Sequence, residues 1–149
     1  MEGDNFGSTY EAESAKPQLA FETHIEKRSR DHFVIGAFMG HGLIGICCFS
    51  RQERAKLQHS GMLLQMYVQH SYRGKQIGSG LVKKLIEEAF AIDGIEQITL
   101  GVVTENTAAV KLYQKMGFTI YGTLPHYFKY KGVYKDEHLM VLNKLKAKN

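Results

Sequence analysis

Tyr67-Val68-Gln69-His70-Ser71-Tyr72-Arg73-Gly74-Lys75-Gln76-Ile77-Gly78-Ser79-Gly80-Leu81 is the stretch whose residue types and spacing could do chemistry. An apolar run passes into a basic, glycine-rich loop, and the loop opens an amphipathic helix. That order makes an anion site. Glycines let the backbone approach a phosphate, and the free N–H groups and dipole of the first helical turn point at it. Arg73 and Lys75 add positive charge beside those donors. The expected ligand is a phosphate-bearing cofactor.

Two familiar phosphate loops fail on spacing. A P-loop needs Gly-x-x-x-x-Gly-Lys-Ser/Thr, but Lys75 is followed by Gln76. A dinucleotide fingerprint needs Gly-x-Gly-x-x-Gly, and Gly78-Ser79-Gly80 is followed three residues later by Lys83. The spacing that fits is Gln/Arg-x-x-Gly-x-Gly/Ala, filled by Arg73, Gln76 and Gly78. This pattern resembles motif A of the GNAT N-acetyltransferase superfamily, whose loop binds the pyrophosphate of coenzyme A. One position departs from it: Gln76 stands where the family usually has glycine. If that position needs a positive φ, the loop must differ locally.

A second segment, Asn106-Thr107-Ala108-Ala109-Val110-Lys111-Leu112-Tyr113-Gln114-Lys115-Met116-Gly117-Phe118, is similar to the family's motif B, Asn-x-x-Ala-x-x-Leu-Tyr-x-x-x-Gly-Phe. Every key position is filled, and the gap between the motifs leaves room for one helix and one strand. The resemblance spans roughly residues 33 to 143. It implies a mixed α/β fold: a mostly antiparallel sheet with a central parallel strand pair splayed around acetyl-CoA, flanked by helices. It also implies transfer of the acetyl group to a primary amine by direct attack in a ternary complex.

The same resemblance carries site residues. The strand before motif A lends backbone N–H groups of Met66 and Val68, flanking Tyr67, to the pantetheine and the thioester. Arg73, Gly74, Lys75, Gln76, Ile77, Gly78 and Ser79 hold the pyrophosphate. Asn106 caps its helix or contacts the cofactor. Tyr113 is the expected general acid, a phenol of pKa near ~10 protonating a thiolate whose conjugate acid lies near ~8.5. Its competing role is packing beside Phe118.

The general base stays open. Some relatives that acetylate protein N-termini carry a Glu near position 101, where this chain has Gly101. Glu105, His59, His70, His126 and His138 are the candidates, together with a water chain. In the run from His126 to Glu137, Asp136 and Glu137 would attract a cationic substrate. The acceptor also stays open between a polyamine-like or amino-acid-like amine and a protein N-terminus or lysine, and so does a homodimer. The rival reading is a non-catalytic acyl-CoA-sensing module.

Positioning these residues requires one domain, and 149 residues with a substantial apolar share supply it. The net charge of +4 suits an anionic cofactor and is too small and scattered for a nucleic-acid binder. Without a secretory h-region or a long apolar run, the chain reads as cytoplasmic, with no membrane partner. Adjacent Cys47 and Cys48 read as small buried residues rather than a disulfide or a covalent nucleophile. No His or Cys spacing suggests a metal.

Periodicity assigns the elements. Residues 1 to 15 are polar, without periodicity, and read as flexible. Pro17 to about Arg30 reads as a helix, so the family's first strand is expected to be missing. Phe33 to Met39 and Leu43 to Ser50 form a hairpin. Met62 to Gln69 is a strand, Leu81 to Phe90 lies in a helix that Gly94 closes, and Gln97 to Val103 is a strand. A helix then runs to Met116 with Gly117 at its C′ position. Phe118 to Tyr121 and Glu137 to Asn143 complete the sheet, and 126 to 137 reads as a loop and hairpin with a Lys-Gly turn.

Overall fold

The protein is described here by a computed structural model covering residues 18–26 and 29–145. Seven strands and two helices follow in the order β1 (Leu19–Glu26), β2 (Ser29–Met39), β3 (Gly42–Arg51), β4 (Ser60–Val68), α1 (Ile77–Phe90), β5 (Gln97–Val103), α2 (Thr107–Lys115), β6 (Thr119–Tyr130) and β7 (Val133–Asn143). They form one sheet in the order β1-β2-β3-β4-β5-β7-β6. Every neighbouring pair is antiparallel except β4 and β5, which run parallel, as a helical crossover between them requires. The expected fold class is the observed one.

Alternation decides which face is covered. On β5 it is Ile98, Leu100 and Val102 that are buried, and their β7 neighbours Met140 and Leu142 are buried with them. These join Ile77, Leu81, Val82, Leu85 and Ala89 of α1 and Tyr113 of α2 in one core. Both helices therefore pack on the same face. Each fully buried Leu or Ile contributes about 1.5–3 kcal/mol, so the apolar stripe of α1 is what fixes the helix to the sheet. Thr99, Gly101, Val103, Glu137 and Leu139 lie on the opposite face, which the described helices leave uncovered.

One expectation is overturned. Residues 19–26 form a strand, not a helix, pairing with β2 from Leu19↔Met39 to Ile25↔Phe33. Leu19, Ala20 and Thr23 suit a helical stripe, but Phe21, Thr23 and Ile25 also alternate at period two. The unpaired edge of β2 offers a full hydrogen-bond ladder, so tertiary pairing overrides a weak local signal. Phe21 then closes on α1: a Cβ built at Gly80 would fall within its ring. A strand thus precedes the hairpin, where none was expected, and among the described residues no helix stands between them.

The last hairpin is longer than the sequence pattern suggested. β6 continues to Tyr130 and β7 begins at Val133, joined through Lys131 and Gly132, both at positive φ. Its register slips between Leu124 and Phe128, where His126 takes φ 53°. The Asp136 carboxylate holds this bulge by accepting from the His126 N–H at 2.9 Å.

Candidate active site

β4 and β5 pair over only three residues, Ser60↔Gln97 to Met62↔Thr99. Beyond Met62 the two strands diverge. A little further along β4 the β3 register slips so that Gln65 and Met66 together face Cys47. This is a β-bulge, and Gln65 holds φ 55° within it. The Gln69 N–H bonds Ile44 O at 2.8 Å. By antiparallel alternation, the N–H and C=O of Val68 then point away from β3, into the space β5 has vacated. Consistent with that, Val68 O accepts from Arg73 Nε at 3.0 Å.

The glycine-rich loop closes the end of this opening. α1 begins at Ile77 with no side-chain cap and no acidic residue in its first turn. Its first intrahelical bond runs from Gly80 N to Gln76 O, leaving the N–H groups of Ile77, Gly78 and Ser79 without intrahelical acceptors. A Cβ at Gly74 would meet nothing within 4 Å, so the loop is open on its outer side. Arg73 lies 5.7 Å from the half-exposed Tyr67 ring, and Lys75 lies 5.8 Å from the Tyr72 ring. Several donors without a partner among the described residues and two cations thus flank an accessible space, which is chemistry suited to a pyrophosphate.

Gln76 adopts φ 64° and ψ 19°, the left-handed region. The position does adopt the conformation that favours glycine, with a side chain in place. Gln76→Gly is expected to stabilise the fold by about 1 kcal/mol, the usual left-handed penalty for a side chain. Binding at the loop should be unchanged or tighter. Chemical denaturation and ligand titration check both, and a large loss of affinity would reveal a contact made by the amide.

Motif B meets this loop through packing. A Cβ at Gly78 would lie 2.7 Å from Met66 Cε and 3.0 Å from Leu112 Cδ1. The start of α1, the β4 bulge and α2 therefore converge at one point. Asn106 caps α2, its Oδ1 accepting from Ala109 N at 3.2 Å, and Gly117 ends the helix at φ 106°.

Tyr113, one residue beyond Leu112, is only 5% exposed and sits edge-on to Phe118 with ring centres 5.8 Å apart. Burial, with a smaller contribution from Cys47, pushes its phenol up to about 12. Among the described residues the hydroxyl has no hydrogen-bond partner, yet it is not among the fully enclosed unpaired polar atoms. With its pKa raised, the phenol keeps its proton. Cys47 is buried under α1, its thiol donating toward Leu81 O at 3.6 Å and pushed far up by burial, so it stays protonated. Such a thiol is no nucleophile.

On the uncovered face a cleft of about 210 Å³ lies where β4 and β5 part. Its wall includes Leu64, Gln65, Gly101, Tyr121, Tyr127 and Glu137. None of the five base candidates lines it. Glu105 is paired with Lys135 at 2.6 Å, His126 stacks on Tyr134 at 4.4 Å, and His138 Nδ1 lies 2.8 Å from Thr123 Oγ1. His59 and His70 sit outside the cleft, ahead of β4 and beyond it. Asp136 is engaged at the His126 bulge. Glu137 is the carboxylate the cleft receives, and Gly101 was its one sequence signal. An isolated glycine within a strand marks a close approach by another group. Among the described residues no group of three or more His, Cys, Asp or Glu could hold a metal. No helix there is long and apolar enough to cross a membrane.

A strand pair splayed beside an uncapped, basic helix start agrees with what comparison finds: the family model of the acetyltransferase (GNAT) family matches residues 3–118. The chain belongs to this family. A spermidine N(1)-acetyltransferase of Vibrio cholerae is 30% identical over 146 residues, covering 97% of this chain and 80% of that protein. An L-methionine sulfoximine/L-methionine sulfone acetyltransferase of Pseudomonas aeruginosa is 32% identical over 90 residues, 60% of this chain. This chain spans about half the length of that Pseudomonas relative, 49%. Among solved structures, an acetyltransferase of the GNAT family from Streptococcus pneumoniae superposes with a TM-score of 0.74 at 31% identity. That match covers 78% of this chain and 69% of the other.

Proposed function

We propose that this protein is a cytoplasmic N-acetyltransferase that moves the acetyl group of acetyl-CoA to a primary amine. The observation that carries the reading is the opening between β4 and β5, with an anion site at one end and a cleft on the uncovered face. Acetyl-CoA would supply the activated acyl group, its pyrophosphate held by the Arg73–Ser79 amides and cations and its thioester beside the Val68 N–H. The amine would enter through the cleft from the opposite face. Holding the two partners in line removes most of the entropic barrier to a bimolecular reaction. Tyr113 would donate a proton to the departing sulfur.

The cleft also bears on the acceptor. At about 210 Å³ it has room for a small amine substrate. Next to it, around Val103, lies an apolar groove walled by Phe128, Tyr130 and Val133, with Lys131 and Lys135 at its margin. Lys135 is paired with Glu105, so the Lys131 ammonium is the charge at this apolar wall that disfavours a second cationic centre. A single-headed amine, amino-acid-like or a peptide N-terminus, therefore fits better than a polyamine.

An amine panel with acetyl-CoA, read as coenzyme A release, tests the reading. Amino-acid-like or peptidyl amines should exceed spermidine in kcat/KM, and the reverse order would refute the acceptor assignment. Acetyl-CoA alone should raise the Tm progressively with concentration, since it binds only the folded state. A Tm that does not move at millimolar acetyl-CoA would sink the transferase reading and the sensing alternative together. A clear Tm rise with no release for any amine would favour the acyl-CoA sensor.

A further inference from the structure

Gly101 and Glu137 occupy one space. A Cβ built at Gly101 would fall within the Glu137 carboxylate. The two residues are 36 apart in sequence and are brought together by the β5–β7 register, which pairs Val103 with Glu137 and Gly101 with Leu139. The missing side chain on β5 is what lets the β7 carboxylate lie over that strand and form part of the cleft wall.

Its neighbours along β7 are all committed elsewhere. Lys135 binds Glu105, the Asp136 carboxylate holds the His126 N–H, and His138 meets Thr123. Among the described residues, Glu137 has no hydrogen bond or ion pair. The groups around it are apolar or neutral: Val103 on β5, Leu124 on β6, Leu139 on its own strand, and Gln65 of β4 and Tyr121 and Tyr127 of β6 in the cleft wall. Lys135, two residues earlier on the same strand, is held by Glu105. A half-exposed carboxylate without a protein partner is available to a cationic ligand.

We propose that Glu137 is the general base of acetyl transfer, accepting the proton of the acceptor's ammonium in the cleft between β4 and β5. The inference rests on the transferase reading given above. The ammonium gives one proton to the Glu137 carboxylate, leaving a neutral amine whose lone pair forms the C–N bond. As the C–S bond breaks, its electron pair goes to sulfur, which takes one proton. The nitrogen's second proton, lost as the amide forms, replaces the one that sulfur takes from Tyr113, and Glu137 returns its own proton to solvent. The sum is one amide, one thiol and one released proton. Desolvation raises the Glu137 pKa above the ordinary carboxylate value, which improves the match to an ammonium donor.

Two variants test this in the full chain. Glu137→Gln keeps the shape and removes the base, and kcat/KM at pH 7 should fall by about 10²–10³-fold. The deficit should shrink as pH approaches the amine's own pKa, because the acceptor then arrives already neutral. Gly101→Ala leaves the charge but forces the flexible carboxylate aside, and should reproduce part of the loss. In both variants the Tm rise with acetyl-CoA should match wild type. Turnover in Glu137→Gln within about threefold of wild type at pH 7 would overturn the proposal. So would a pH-independent deficit confined to KM, which would mean charge attraction alone. Wild-type protein releasing no coenzyme A with any amine would instead fail the transferase reading, and this proposal with it.

Discussion

Tyr113→Phe is expected to lower turnover by about 10²–10⁴-fold while leaving the fold and acetyl-CoA binding almost untouched. The ring is held edge-on to Phe118 at 5.8 Å and is 5% exposed, so Phe preserves the packing. The hydroxyl has no partner among the described residues, so its removal strands no buried donor or acceptor. Stability should therefore change by no more than about 0.5 kcal/mol. The phenol, pushed up to about 12 by burial, is neutral throughout the working range. Wild-type activity should accordingly show no alkaline fall between pH 8 and 10, since a raised pKa keeps the proton-bearing form present until pH approaches about 12. A steep decline in that window, or a Phe variant with near-normal kcat, would show that another group protonates the sulfur. Loss of stability together with cofactor binding would return Tyr113 to a packing role.

What the sequence made legible was local. The β5 strand, the Asn106 cap and the Gly117 terminus follow from periodicity and capping chemistry. The uncapped helix start behind Arg73 was readable for the same reason. The failures are non-local. Nothing within residues 17–30 could report that the edge of β2 stood open to be paired, so a period-two pattern was read as a helical one. The bulge at Gln65 depends on β3 register, and the reach of Glu137 over Gly101 depends on the alignment of strands with α2 and β6 between them. Gly101 was noted only as the absence of a carboxylate. Its physical content, space for a carboxylate arriving from elsewhere, exists only once the sheet is assembled.

An aromatic contact lies at the root of the parallel pair. Phe49 is 1% exposed, stacks on Phe33 with ring centres 5.1 Å apart, and fills the space where a Cβ at Gly61 would stand. Gly61 is the middle of the three β4 residues that still pair with β5. Phe49→Ala is therefore expected to cost about 3–5 kcal/mol, a transfer term plus a cavity the sheet cannot close. That is a large share of the roughly 5–15 kcal/mol a domain has, and should lower Tm by roughly 6–20 °C. Gly61→Ala alone should cost about 1–3 kcal/mol by overpacking against the ring. If the two residues share one space, Gly61→Ala combined with Phe49→Leu will cost less than the sum of the single changes, by at least about 0.5 kcal/mol, because the new methyl enters room the ring has left. Denaturation of the four proteins decides the point. Strict additivity would show that β3 and β4 yield independently at this position, and the hinge from which β4 leaves β5 would then have to be sought at the Gln65 bulge alone.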